Sequence, residues 1–100
     1  MKNGYKLLWS VRTLSDLKNI VYYLLENWTE KELKNFARSL DKRLEIILFN
    51  PRIFPKTRKG REIIKSVLTK RTVIYYETSD KVITIVTLFD PRQNPNKLKL

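Results

Sequence analysis

Val82-Ile83-Thr84-Ile85-Val86-Thr87-Leu88-Phe89, emptying into Asp90-Pro91-Arg92-Gln93-Asn94-Pro95, is the stretch on which the fold turns. Its β-branched and apolar side chains predict a strand packed on at least one face. Pro91 and Pro95 then end that strand, because neither has an N–H to give to a ladder. Arg92, caught between them at the mouth of a sheet, is badly placed for core packing and well placed for phosphate or carboxylate. Taken alone it reads equally well as a surface arginine in a solvated turn.

Working outward, two more strand-like runs precede this one, Arg61–Thr69 and Arg71–Thr78. Lys70 separates the first pair and Ser79-Asp80-Lys81 the second, and connections that short allow only antiparallel pairing. Farther back, Gly4 to Trp9 is a short strand with Tyr5, Leu7 and Trp9 on one face and Lys6 and Leu8 on the other. Between this strand and the meander lie two helices. Ser10 is a cap for the first, with Thr13 and Asp16 as an alternative pair. Leu14, Leu17, Val21, Leu24 and Trp28, widened by Ile20 and Leu25, make its buried stripe. Thr29 to Glu32 is a capping box that opens the second helix almost where the first stops, so the two fold back as a hairpin. The second stripe is Leu33, Phe36, Ala37, Leu40, Leu44, Ile47 and Leu48, and Asn50-Pro51 ends it. The fold class expected is α+β over a single domain, residues 1–100: an N-terminal strand joining the sheet, and an antiparallel two-helix hairpin packed on a C-terminal antiparallel β-meander.

One hundred residues suit one modest core, and 42% hydrophobic content with only two glycines and four prolines excludes a disordered chain. Without cysteine or histidine the chain has no disulfide, no thiolate or imidazole metal ligand, and not the usual general base. No apolar run reaches the length of a membrane span and no signal-peptide core leads the chain, so a soluble, cytoplasmic protein without membrane contact is expected. The formal charge is +11, from 21 basic and 10 acidic residues. Residues 1–50 carry nine basic and six acidic side chains, and residues 51–100 carry twelve and four. Between Arg52 and Arg71 eight basic residues meet the single acid Glu62, a density that points to a polyanionic partner, nucleic acid or an acidic protein segment.

With the hairpin on one face of the meander, the other face is expected to be open and to gather cations. Lys65 and Arg92 are the pair expected to face a common groove, with Lys56, Arg58, Lys59 and Arg61 at its rim and Arg71 nearby. Tyr75 and Tyr76, interleaved with these cations, could stack a base, though strand tyrosines more often pack. Metal, phosphate-loop and nucleophile motifs are absent, so no metal and no cofactor is expected. Asp90 before Pro91 reads as a turn former rather than a base.

The strand closing in Phe89-Asp90-Pro91-Arg92-Gln93-Asn94-Pro95 joins several other pieces in a fixed order. These are Tyr5 to Trp9 followed by Ser10, then Asp16-Leu17, Ile20 and Tyr23-Leu24 on the first helix. Asn50-Pro51 ends the second helix, and Val73-Ile74-Tyr75 lies on a strand before the last. Over nearly the whole chain this resembles toxins of the RelE/ParE superfamily of type II toxin–antitoxin systems. The resemblance implies a toxin neutralised by a cognate antitoxin. Members of the RelE branch are ribosome-dependent mRNA endonucleases that use cationic side chains to stabilise the phosphate in flight. Carried over to this chain, that branch's C-terminal catalytic arginine falls on Arg92 and a strand lysine on Lys65. Its middle-strand arginine falls on Thr72, with Arg71 beside it but pointing to the other face, and its C-terminal tyrosine falls near Leu98. Two of four such groups are missing, so the chain resembles more the ParE branch, whose members poison DNA gyrase and need no hydrolytic site. Growth arrest through gyrase is the function expected. mRNA cleavage with Lys65 and Arg92 as catalytic candidates is the alternative, and a non-toxic basic nucleic-acid-binding module the second.

Overall fold

The computed structural model describes residues 4–57, 62–98 and 100. Strand β1 (Lys6–Trp9) leads into helices α1 (Val11–Asn27) and α2 (Glu30–Phe49), followed by strands β2 (Ile63–Thr69), β3 (Thr72–Ser79) and β4 (Val82–Phe89). A short 3-10 turn, Pro95–Lys97, closes the chain. The four strands form one sheet in the order β1-β4-β3-β2, antiparallel throughout the meander, with β1 parallel to β4 at one edge. The architecture is the expected α+β one. Arg58, Lys59 and Arg61 lie outside the described residues.

Local chemistry starts and stops these elements. Ser10 caps α1 by accepting the Thr13 N–H through its hydroxyl (3.0 Å), and Thr29 caps α2 by accepting that of Glu32 (3.3 Å). α2 stops at Asn50, before the fixed φ of Pro51. The β3–β4 hairpin turns through Asp80 at φ 53°, a left-handed conformation that a short polar side chain tolerates. Beyond α2, the loop runs back along the outer side of β2. Lys65 donates its N–H to the Pro55 carbonyl (2.9 Å) and Thr57 its N–H to that of Ile63 (2.7 Å), which covers that edge.

The sheet is apolar on both faces. Toward the helices, Ile64, Ile74, Tyr76, Ile83, Ile85 and Leu88 pack with Leu40, Leu44 and Ile47 of α2. α1 adds Leu17 and Ile20 only at the margin, and Leu14, Leu25 and Trp28 of its expected stripe stand largely in solvent, as does Ala37 of α2. On the opposite face Ile63, Val73, Tyr75 and Phe89 form a second cluster, covered by Val86, Leu98 and Leu100. That face is therefore not the open cationic surface expected. The C-terminal tail supplies apolar cover there, because Ile63, Val73 and Phe89 would otherwise lie bare in water.

Candidate partner-binding cavity

β4 does not run evenly against β3. The pairing steps from Tyr75↔Thr87 to Tyr76↔Ile85, so Val86 is an extra residue on β4, a β-bulge. The bulge shifts the alternation of side chains: Ile83 and Ile85 face the helices before it, Leu88 after it, and Val86 and Phe89 face away. The N-terminal turns of α1 bind the backbone that the bulge disturbs. Thr13 donates its hydroxyl to the Ile85 carbonyl (2.8 Å) and Ser10 donates its own to that of Val86 (2.9 Å). Asp16 accepts the Thr87 hydroxyl (2.6 Å) and the Leu88 N–H (3.2 Å) on one carboxylate oxygen. Ser10, Thr13 and Asp16, three residues apart, share one helix face, so α1 is stapled to β4 at its start.

A cavity of about 770 Å³ lies between α1, α2, the β2–β3 turn and the end of β4. Ile20, Leu24, Phe36 and Leu88 give it an apolar floor, while Arg12, Lys70, Arg71, Arg92 and Lys97 make its rim cationic. Arg71 is held in place. Its guanidinium donates to the Tyr23 hydroxyl (2.7 Å) and stacks 5.6 Å from the Tyr23 ring and 5.3 Å from that of Trp28. This corrects the expectation that Arg71 points to the other face. The residue sits in the turn before β3, where strand alternation does not govern it.

Arg92 also lines the cavity, in the turn that Asp90 builds. The Asp90 carboxylate accepts the Arg92 N–H (2.9 Å) and, as a forked pair, its Nε (3.2 Å) and Nη2 (3.1 Å). Those side-chain hydrogen bonds hold the Asp90 carboxyl below its ordinary range and keep Arg92 more firmly protonated. Asp90 is thus the turn former expected.

Other expected site residues lie elsewhere. Lys65 is exposed on the face of β2 opposite the helices, opposite Tyr75 in register, and does not line the cavity, so it shares no groove with Arg92. Lys56 is bound to Glu62 (2.7 Å) beside the covered edge of β2, and this contact lowers the Glu62 pKa. Tyr76 is fully buried, donates its hydroxyl to the Pro51 carbonyl (2.6 Å), and cannot stack a base. Burial pushes its pKa up to about 12. Thr72 is buried at the cavity wall, and Leu98 packs on the far face of the sheet. Tyr23 and Trp28 escaped notice as site residues because a helical aromatic stripe looks like core. Their signal was a second set of apolar and aromatic residues on α1, wider than one buried stripe needs. Among the described residues no cluster of three or more carboxylates forms a metal site, and no helix is long and apolar enough to cross a membrane.

A family model described as the ParE toxin of type II toxin–antitoxin system, parDE, matches residues 7–95. Among solved structures, the chain is similar to one from the chromosomal ParDE toxin–antitoxin system of P. aeruginosa. The TM-score is 0.69 at 14% identity, covering 87% of this chain and 96% of that one, a likeness of fold. No curated protein matches the sequence.

Proposed function

This chain belongs to the ParE toxin family of type II toxin–antitoxin systems, and from that premise we propose that it arrests growth by inhibiting DNA gyrase in the cytoplasm. The family implies a cognate antitoxin as its partner. The observation that carries the gyrase reading is the makeup of the cavity. It joins an apolar floor to a rim with Arg71 and Arg92 already fixed in position, which suits binding a macromolecular surface. A nuclease would need more than this. The positions that resemblance matches to the RNase branch's arginine and tyrosine hold Thr72, which is buried, and Leu98, which lies half-buried on the far side of the sheet. Lys65 lies outside the cavity as well. Losing one well-aimed donor costs on the order of 10²–10³ in rate, so cleavage with Arg92 alone would be slow.

Neutralisation follows if an acidic or amphipathic antitoxin segment covers this rim or an adjoining apolar surface. The test is direct. Purified protein should inhibit DNA supercoiling by gyrase, lose that inhibition when the antitoxin is added, and leave mRNA on translating ribosomes intact. Rapid codon-positioned cleavage in a translation extract, abolished by Arg92→Ala, would move the chain to the RNase branch.

A further inference from the structure

The two fixed arginines of the cavity are not equivalent. Arg71 is set by its own turn, where its N–H donates to the Thr69 hydroxyl (3.1 Å), and its guanidinium lies against the Tyr23 and Trp28 rings. Among the described residues that guanidinium has one acceptor, the Tyr23 hydroxyl, and its remaining donors are open to a ligand. Arg92 is the reverse case. Its Nε and Nη2 are spent on the two oxygens of Asp90. The Asp90 side chain is 23% exposed against 56% for that of Arg92, so the carboxylate is the more enclosed member of the pair.

Asp90 also lies beside Arg71. β3 and β4 are last paired at Val73 and Phe89, and one step on, the antiparallel register sets Thr72 across from Asp90 and Arg71 across from Pro91. Even diagonal neighbours across such a pair are only about 7–8 Å apart, within the span of an arginine and an aspartate side chain. Both side chains line the same cavity. Hydrogen bonds from the Arg92 side chain chiefly, with the charges of Arg92 and Arg71 adding, hold the Asp90 carboxyl below its ordinary range. Asp90 is tethered as well by accepting the Arg92 backbone N–H (2.9 Å), a contact that survives truncation of the Arg92 side chain.

We propose that Arg71 receives a carboxylate of the inhibited protein, and that Arg92 keeps Arg71 free by holding Asp90 to itself. With the Arg92 side chain cut back, the tethered Asp90 carboxylate turns to Arg71 and takes the place of the ligand. Asp90 is then an internal stand-in for the partner's acid, and Arg92 a positioning residue. The cavity walls select a protein acid over a nucleic-acid backbone. Asp16, Glu32 and Asp90 line the cavity among its cations, so consecutive phosphates of a strand would meet like charge there. A single carboxylate beside an apolar side chain suits the forked donors of Arg71 above the floor of Leu24 and Leu88. Lysine cannot take over this role, because it has neither the fork nor the planar face that lies on the two rings.

This rests on the cavity being the contact with the inhibited protein, and two readouts keep the two ideas apart. Growth arrest on overexpression reports on function whatever the target. The Arg71 Nε–H resonance, followed by NMR in the free proteins, reports on where Asp90 sits. Asp90→Asn removes the charge while its side-chain oxygen still accepts the Arg92 N–H and keeps the turn. Arg92→Ala should lose growth arrest and shift the Arg71 resonance. Adding Asp90→Asn to Arg92→Ala should return that resonance to its wild-type position and restore growth arrest. Arg71→Lys should lose growth arrest, and adding Asp90→Asn should not restore it. All variants should keep the wild-type circular dichroism. An Arg71 resonance unmoved by Arg92→Ala, or a double variant as inactive as Arg92→Ala, overturns the stand-in role of Asp90 and leaves the cavity reading in place. Growth arrest by Arg71→Ala and Arg71→Lys at wild-type strength overturns both. A labelled single-stranded oligonucleotide that binds the wild-type protein and is lost from Arg71→Ala overturns the carboxylate as ligand.

Discussion

Replacing Asp16 tests whether α1 holds the bulged strand together. One Asp16 carboxylate oxygen accepts the buried Thr87 hydroxyl at 2.6 Å and the Leu88 N–H at 3.2 Å. Hydrogen bonds to a charged acceptor contribute about 1.5–3 kcal/mol each, and the longer contact belongs at the low end. Asp16 itself is only half-buried, so water entering the cavity would recover part of the loss. Asp16→Ala is therefore expected to cost about 2–4 kcal/mol, and Asp16→Asn, which keeps one neutral acceptor, about 1 kcal/mol. In a domain of this size that corresponds to roughly a 10–30 °C fall in melting temperature for the alanine variant. Urea denaturation of Asp16→Ala, Thr87→Val and the double variant gives the coupling directly. A coupling of about 1.5 kcal/mol or more is expected, and one below about 0.5 kcal/mol would refute the staple.

Three further outcomes follow from the same geometry. Arg71→Ala and Arg92→Ala should abolish growth arrest on overexpression while Lys65→Ala stays toxic, because only the first two line the cavity; the reverse pattern would place activity on the far face. Ile47→Ala, fully buried, should cost about 2–5 kcal/mol by urea denaturation, and Leu24→Ala, half-buried at the cavity wall, under about 2 kcal/mol. Tyr76 has its pKa raised by burial from 10.0 to about 12, so the folded state holds its proton longer than the unfolded chain. Its contribution is complete below pH 10.0 and lost as pH climbs toward about 12. Tyr76→Phe should flatten that alkaline decline, while losing stability at neutral pH with its hydrogen bond to Pro51.

Most of the fold was legible because its signals are local. Pro51 and Pro91 follow the ends of α2 and β4 whatever surrounds them, Ser10 and Thr29 cap helices with their own hydroxyls, and the connectors at Lys70 and Asp80 are too short for anything but antiparallel strands. The second helix's core residues Leu40, Leu44 and Ile47 were legible too, since one stripe at helical spacing has one face to bury.

The first helix was not, and the reason is its neighbours. Its apolar residues cover more than one face, so periodicity could not say that Leu17 and Ile20 approach the core while Leu14, Leu25 and Trp28 meet water. That choice depends on the staple of Ser10, Thr13 and Asp16 to β4, contacts between residues more than seventy positions apart. The site was decided at the same level. Charge density marked residues 51–100 as the cationic part, but density carries no direction. Tertiary packing spread Leu98 and Leu100 over the face expected to be open, and left Lys65 apart from Arg92. It also carried Arg71 out of strand alternation, onto Tyr23 and Trp28. Sequence determines an element through forces acting within a few residues. Which cations share a cavity is set by how those elements pack, and that depends on every surface they bury at once.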